Sequence, residues 1–403
     1  MVLRMDFNIE DYSLLDDIGP EKIISINNPS VSLNGVLVID NSAYGIPAGG
    51  IRLAPDITID EMIRLSRAMS LKFCAYRLKI GGAKAGICGD PSNIEKKGIL
   101  LTAFADQIKP FITNDVYYPG PDMGTDDHDL LKMFQVMGVP NLAPNPIGLK
   151  KFGVPVEELF TGYGVVNCLE TFYNNLEKLT KISQDTSKKP KVILEGFGKV
   201  GTAIAIALKD LKFTLTGVST LKGAIFDEEG LDIEELLKLK QNFGDDLVNH
   251  YESKNLLKTS KEKIFELSSE YQTDFIIPGA RPDVINKRNV DKINAIALIP
   301  AANIPYEKGT TEILKEKGII AFPDFVANAG EILAVLVNKV AKNADEIFEF
   351  VKTKITEKTF EVIQGATQDN ISPFDFAVED AMNELKKKQK RKRNSLNKLN
   401  ERY

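Results

Sequence analysis

Lys191-Val192-Ile193-Leu194-Glu195-Gly196-Phe197-Gly198-Lys199-Val200-Gly201 is the stretch whose reading decides the fold. Five residues of strand-forming character run into a G-x-G-x-x-G turn, and the apolar stretch Ala203–Leu208 continues beyond it as a helix. In that setting the glycines let a pyrophosphate approach the main chain, and the amide-rich start of the helix attracts the phosphate charge. Working outward, strand-like segments recur at Phe213–Val218, Phe275–Ile277, Ala295–Ile299 and Ile319–Phe322, with helical stretches between them. This alternation predicts a doubly wound parallel sheet of the Rossmann type. Where an acidic residue often holds the adenosine ribose, the chain reads Gly217-Val218-Ser219-Thr220-Leu221-Lys222. With no carboxylate there and a lysine nearby, both NAD and NADP are compatible.

With 403 residues, two domains are expected. The helix around Gly162–Leu176 is read as opening the second, with Ser183–Lys189 as a polar linker. The expected boundaries are 1–160, 161–340 and a C-terminal helical segment, 341–403, packing back toward the first domain. Hydrophobic residues make up 43% and charged residues 27%, and no apolar run approaches the roughly 20 residues of a membrane span. The beginning, MVLRMDFNIEDYSLLDD, turns acidic where a secretory signal would be apolar. The location is therefore read as cytoplasmic. Cys74, Cys88 and Cys168 are too scattered for a disulfide framework, and neither His128 nor His250 stands in a cluster at metal-ligand spacing, so no metal is expected. A net charge of −5 gives no general reason to bind nucleic acid. The basic run Lys386-Lys387-Lys388-Gln389-Lys390-Arg391-Lys392-Arg393 is read as a solvated helix end or frayed terminus.

In the first half, Asn34-Gly35 between apolar runs predicts a hairpin over residues 31–40. Thr58-Ile59-Asp60-Glu61 has the form of a capping box, and Met62, Leu65, Met69, Lys72 and Tyr76 follow along one helical face. Taken alone, Lys72 could simply snorkel out of that stripe. Gly81-Gly82-Ala83-Lys84-Ala85-Gly86-Ile87 is small-residue backbone carrying one long cation; a turn would explain its glycines but not the lysine. The loop Tyr117-Tyr118-Pro119-Gly120-Pro121-Asp122-Met123-Gly124-Thr125 is bracketed by prolines and presents one carboxylate ahead of a helix near Asp126. By itself Asp122 is equally a turn or cap residue.

Together and in this order these pieces resemble the glutamate/leucine/phenylalanine/valine dehydrogenase family, from about residue 30 to about residue 340. The matching stretches are Gly49-Gly50-Ile51-Arg52, Met69-Ser70-Leu71-Lys72, Gly81-Gly82-Ala83-Lys84, Pro121-Asp122-Met123-Gly124-Thr125, Thr161-Gly162-Tyr163-Gly164, the glycine turn, Ala302-Asn303, and Pro323-Asp324 with Asn328-Ala329-Gly330. The resemblance implies an N-terminal α/β domain for substrate binding and oligomerisation, a Rossmann-type dinucleotide-binding domain, and substrate held between them. It implies NAD(P)-dependent oxidative deamination of an L-α-amino acid, or reductive amination of the 2-oxo acid with ammonium, and a homo-oligomer with a hexamer favoured.

By the same resemblance Lys72 would pair with the substrate α-carboxylate. Lys84 would be the lysine of depressed pKa that activates the attacking water, and Asp122 would shuttle protons. Gly49, Gly50 and Asn328 would line the substrate site. Gly196, Phe197, Gly198, Lys199, Val200, Gly201 and Thr220 would hold the dinucleotide, with Thr161, Asn303 and Ala280 nearer its nicotinamide. Glutamate-specific members carry a lysine and a serine where this chain has Ala48 and Val335, which favours an apolar substrate of the leucine, valine or phenylalanine kind. Glu331 stands in place of a second glycine, and Ala302 lies where Gly-Ala-Asn patterns are common. A glutamate dehydrogenase with an altered acid pocket and a non-catalytic dinucleotide-binding paralogue are the alternatives.

Overall fold

In the computed structural model, which describes residues 9–143, 150–151, 154–180, 189–211, 213–337, 341 and 343–400, the chain does not turn at Asn34-Gly35. Strands β1 (Lys22–Asn28) and β2 (Leu33–Asn41) pair antiparallel. Their reversal is made by Pro29–Val31 and by Ser32, which sits in the left-handed region at φ 56°. Gly35 lies inside β2, where an added Cβ would come within 2.9 Å of the Phe104 ring. The glycine serves close packing, so the hairpin expected over residues 31–40 is corrected to one spanning Lys22 to Asn41.

The remaining elements of this half are β3 (Pro47–Ala54), α1 (Ile59–Ala75), β4 (Gly81–Cys88), α2 (Ile94–Thr113), β5 (Tyr118–Pro121) and α3 (Asp127–Val136). The five strands form one sheet in the order β1-β2-β4-β3-β5, with β4 and β5 both parallel to β3. The period of two sorts its faces. Leu37, Ile39, Ile51, Leu53, Ala83, Ala85 and Ile87 join Leu100, Leu101, Phe104 and Ile108 of α2 in one core. The alternate residues meet α1: Asp40 binds Arg67 and Ser70, and Gly82 and Gly86 lie beneath Ser70 and Met62. Lys84 lies between those glycines on the same strand, so the pleat carries it to the α1 side, and Arg52 alternates with Ile51 and Leu53 in the same way. The segment read as glycine-rich backbone is thus a central, fully buried strand. Helix α1 begins as predicted, with Thr58 accepting from the Glu61 N–H, but its buried surface is wider than the stripe and includes Ile63, Ser66, Ser70 and Phe73.

In the second half, the two-residue strands β6 (Lys150–Lys151) and β7 (Val154–Pro155) precede α4 (Phe160–Asn174) and the short α5 (Leu176–Leu179). A second sheet follows from β8 (Lys191–Glu195), α6 (Lys199–Lys209), β9 (Thr214–Thr220), β10 (Gly223–Phe226), α7 (Ile233–Phe243), α8 (Leu247–His250), β11 (Leu257–Thr259), α9 (Leu267–Glu270), β12 (Phe275–Pro278), β13 (Ala297–Leu298), α10 (Thr310–Glu316) and β14 (Ile320–Ala321). Its order is β11-β10-β9-β8-β12-β13-β14. The five strands from β9 to β14 in that order are parallel, as predicted, and the added edge of β10 and β11 is antiparallel. Beside β8 the chain order reverses, and in such sheets ligands bind outside the carboxyl ends of the strands at that switch point.

Helices α11 (Asp324–Ala327), α12 (Gly330–Val337), α13 (Ala344–Asp369) and α14 (Pro373–Asn400) complete the chain. Two compact units result: Met1–Pro146 with Glu379–Tyr403, and Ile147–Val378. The first division therefore falls near 146, not 160. The C-terminal segment is itself divided, because α13 buries Ile347, Val351 and Ile355 within the second unit and only residues from Glu379 onward belong to the first. The basic end of α14 stays helical and is docked, not frayed. Gln389 Nε2 donates to Ile18 O at 2.8 Å, Lys392 Nζ to Ser42 Oγ at 2.7 Å, and Lys388 lies over the Tyr44 ring. The polar linker expected at residues 183–189 lies, apart from Lys189, outside the described residues. Among the described residues no helix is long and apolar enough to cross a membrane.

The contact of α1 with β4 depends on Gly82, where an added Cβ would stand 2.4 Å from Ser70 N. Gly82→Ala is expected to lower stability by about 1–3 kcal/mol through this overpacking. The check is a lower urea midpoint at unchanged slope.

Candidate active site

On the α1 side of the first sheet, the pleat gathers a charged group that no stretch of sequence contains. Lys84 Nζ lies 2.9 Å from Asp122 Oδ2, and Arg52 Nε approaches the same oxygen at 2.9 Å. A terminal nitrogen of Arg52 also binds Glu61, whose carboxylate is thereby taken from the reciprocal half of the capping box. The side chains of Lys84 and Arg52 are only 4% and 5% exposed, so these charges are held away from water and neutralise one another. Burial alone would raise the Asp122 carboxyl, but Lys84 and Arg52 outweigh it and hold the group well below the usual carboxylate range.

Backbone shape brings Asp122 to this point. Gly50 stands opposite Gly120 in the β3–β5 ladder, and a Cβ on it would sit 2.7 Å from Asp122 Cβ. Gly49 faces Ala83 O so closely that a Cβ would be 1.7 Å away, and its carbonyl accepts from Tyr117 Oη at 2.7 Å. Gly124, at φ 84°, turns the loop back against Leu53. Thr125 Oγ1 ties that loop to Ile51 O at 2.7 Å. Lys72 is buried near the end of α1, and Ala48 lies half-buried just ahead of the glycines. Arg52 was quoted in the sequence only as part of a motif; its place two residues after Gly50 on one strand face was the signal that it belongs with Lys84.

In the second unit the candidate dinucleotide residues stand at the carboxyl ends of the parallel strands. Gly196 takes φ 91°, its N–H donates to Ser219 Oγ at 3.0 Å, and it packs against Ala280. A Cβ on Gly201 would collide with Gly196 O at 2.1 Å. At Gly198 an added Cβ meets nothing within 4 Å, and the start of α6 has no side-chain cap. Its first N–H groups thus retain the pattern that receives phosphate. Phe197 is buried, so only its backbone can line such a site. Exposed Lys199 pairs with Glu158 at 3.1 Å, and half-buried Val200 follows it in the first turn. Thr220 donates its hydroxyl to Asp245 O at 2.6 Å.

Thr161 is the second residue of α4, where Gly162 allows contact with Ala203 and Gly164 with Gly330. Asn328 Nδ2 donates to Asn303 Oδ1 at 3.0 Å and to Ala301 O and Ala302 O, bringing two of the expected residues together. Val335 is 65% exposed on α12, and Glu331 is also exposed. Glu195, which the sequence reading left unassigned, accepts from Gly279 N at 2.9 Å and Ala280 N at 2.8 Å and so joins β8 to the loop after β12. Burial pushes its carboxyl above the usual range against those two donors. No group of three or more His, Cys, Asp or Glu residues among the described residues is placed to hold a metal.

Residues 20–138 match the family domain described as Glu/Leu/Phe/Val dehydrogenase, dimerisation domain, and residues 153–393 match Glutamate/Leucine/Phenylalanine/Valine dehydrogenase. The chain belongs to this family. It is an amino-acid dehydrogenase, an oxidoreductase. Among relatives, it is 32% identical over 308 residues to the NADP-specific glutamate dehydrogenase of Saccharolobus shibatae, covering 74% of this chain and 68% of that one. It is 30% identical over 337 residues to the NAD-specific glutamate dehydrogenase of Staphylococcus aureus, covering 81% and 76%. In fold it resembles the leucine-bound hetero-hexameric glutamate dehydrogenase of Thermus thermophilus, with a TM-score of 0.79, 22% identity and coverage of 94% and 91%.

Two expectations follow for this dehydrogenase. Asp122→Asn removes the carboxylate that meets buried Lys84 and one of the two that meet Arg52, and is expected to cost about 3–5 kcal/mol at neutral pH. Because the folded carboxyl is depressed, that contribution is present above the unfolded pKa and is lost as pH falls toward the folded one. Urea midpoints of the two proteins should therefore converge only below about pH 4. Gly198→Ala is expected to leave the thermal midpoint unchanged while weakening dinucleotide binding by about tenfold or more, read by fluorescence titration, because the methyl occupies space left for the pyrophosphate.

Proposed function

We propose that this protein is a nicotinamide-dependent dehydrogenase of apolar L-α-amino acids, with Lys84 and Asp122 as its acid–base pair and Lys72 as the anchor of the substrate α-carboxylate. The observation that carries the reading is the buried Lys84–Asp122–Arg52 group, since such charges are costly to hold unless chemistry uses them. The cofactor is NAD or NADP: the second unit offers the glycine turn and helix start of a dinucleotide site, and relatives of both cofactor specificities are known. When bound, the dinucleotide accepts the hydride from the substrate α-carbon.

The chain's own residues do the rest. Lys72 fixes the α-carboxylate by charge, which sets the orientation of the α-carbon. Asp122 accepts a proton from the substrate ammonium, and Lys84, in its unprotonated form, takes one from the water that adds to the iminium carbon. Asp122 then returns its proton to the amine nitrogen, and as the carbon–nitrogen bond breaks ammonia leaves while the hydroxyl proton passes to the Asp122 carboxylate, giving the 2-oxo acid. Arg52 keeps Asp122 ionised and in place by sharing its Oδ2, and acts through that carboxylate. Thr161, Ala280, Asn303 and the glycine turn hold the dinucleotide, while Gly49, Gly50 and Asn328 shape the substrate's surroundings.

Substrate choice rests on Ala48 and Val335. A methyl and an isopropyl group replace the cation and hydroxyl that a side-chain carboxylate would need, and leaving such a carboxylate unpaired costs several kcal/mol. The glutamate dehydrogenase activity of the relatives favours glutamate as the second reading. A homo-hexameric, cytoplasmic enzyme is the assembly and location we propose.

Leucine, valine, phenylalanine and glutamate, each assayed with NAD and with NADP by nicotinamide absorbance, separate these readings. Apolar substrates are expected to give the higher kcat/KM; a preference for glutamate would overturn the pocket argument. Lys84→Ala should reduce turnover by about 10²–10⁴ while dinucleotide binding persists. A parent protein that binds dinucleotide yet turns over none of the four would indicate the non-catalytic paralogue.

A further inference from the structure

We infer that α11 is a clamp holding the turn Ala301–Ile304 in a strained shape, and that Asp324 and Ile304 are positioning residues for Asn303. Ile304 has φ 46°, in the left-handed region that a β-branched side chain avoids. Pro305 follows it and disfavours the right-handed helical alternative, which leaves extended backbone as the unstrained choice for Ile304. Something must therefore hold it away from that choice.

The holding contacts come from one short helix. Asp324, buried at the start of α11, accepts the Ile304 N–H through Oδ2 at 2.9 Å. One turn later Asn328, at the end of the same helix, donates to Ala301 O at 3.1 Å, Ala302 O at 3.2 Å and Asn303 Oδ1 at 3.0 Å. On the other side Ile304 O accepts from Asp283 N at 3.0 Å, and Asp283 is itself at φ 55°. Ala301 N and Ala302 N both donate to Pro278 O, at 2.8 and 2.9 Å, so the turn is also fixed to the end of β12. The Asn303 amide consequently has one orientation, with its oxygen toward α11. Relaxation of Ile304 to extended backbone would rotate the adjoining peptide and carry Asn303 with it. Strain maintained this way is found where a side chain must be presented in one orientation.

The inference deepens the proposed function and rests on Asn303 contacting the dinucleotide. A double-mutant cycle tests it, because glycine adopts the left-handed region without aid. Asp324→Ala in the parent is expected to weaken dinucleotide binding, measured by fluorescence titration without turnover, by on the order of tenfold. The same substitution in the Ile304→Gly background, compared with that background's own affinity, is expected to cost less than about threefold. Equal losses in both backgrounds would overturn the clamp. A thermal-midpoint cycle without ligand gives a second reading: the destabilisation by Asp324→Ala should be larger when residue 304 is glycine, because relaxation of Ile304 recovers strain that glycine never stores, and equal destabilisation again overturns the inference. Should Asp324→Ala fail to fold, Asp324→Asn, which keeps one acceptor oxygen, replaces it in both cycles with smaller but still unequal losses. Absence of dinucleotide binding by the parent would remove the proposed function, and the ligand-free cycle would still decide whether the strain exists.

Discussion

One carboxylate shared between two buried cations is the constraint on which the first unit's chemistry depends. Lys84 and Arg52 both point from the sheet toward α1, and both meet the same oxygen of Asp122. Everything around them follows from bringing a loop carboxylate to that face. Gly49 and Gly50 let neighbouring backbone come close, Gly124 reverses the loop, and Thr125 ties it to β3. Glu61 completes the charge balance through Arg52 and gives up its usual role at the start of its own helix to do so.

The second unit solves a different problem, that of receiving an anionic, extended ligand on backbone. The residues proposed to bind it lie where the order of a parallel sheet reverses, and the side chains there mainly fix main-chain segments to one another. Ser219 holds Gly196, Glu195 holds Gly279 and Ala280, and Asn328 with Asp324 holds the turn after β13. These bonds set loop shape before any ligand arrives, which limits the ordering cost of binding.

The glycines of the chain divide by purpose. Gly35, Gly82 and Gly86 are inside strands because a ring or a helix lies directly upon them, and Gly162 and Gly164 let α4 touch two other helices. Of Gly196, Gly198 and Gly201 in the turn after β8, only Gly198 faces open space. A close helix contact and a ligand approach demand the same residue, and only the surroundings tell them apart.

Local pattern was enough for much of this protein. A strand entering G-x-G-x-x-G and continuing as an apolar helix specifies the parallel sheet, because period, turn chemistry and helix start all agree within a dozen residues. The Thr58 cap, the helix after Asp126 and the motif set that carries family membership were legible for the same reason. Asn34-Gly35 misled because a turn signature is overridden when the segment is buried by a distant ring. The extent of α1's buried surface, the division of the C-terminal helices and the antiparallel edge also depend on contacts far apart in sequence. So do the partners of Asp122. Arg52, Glu61, Lys84 and Asp122 span 70 positions, and only strand pairing and the pleat put them on one face. The strain at Ile304 was likewise invisible, since an isoleucine before proline reads as extended backbone until Asp324 is seen to hold its N–H. Sequence determines what each segment prefers; the tertiary structure decides which preferences are overruled, because burial and long-range hydrogen bonds outweigh local propensity where the two conflict.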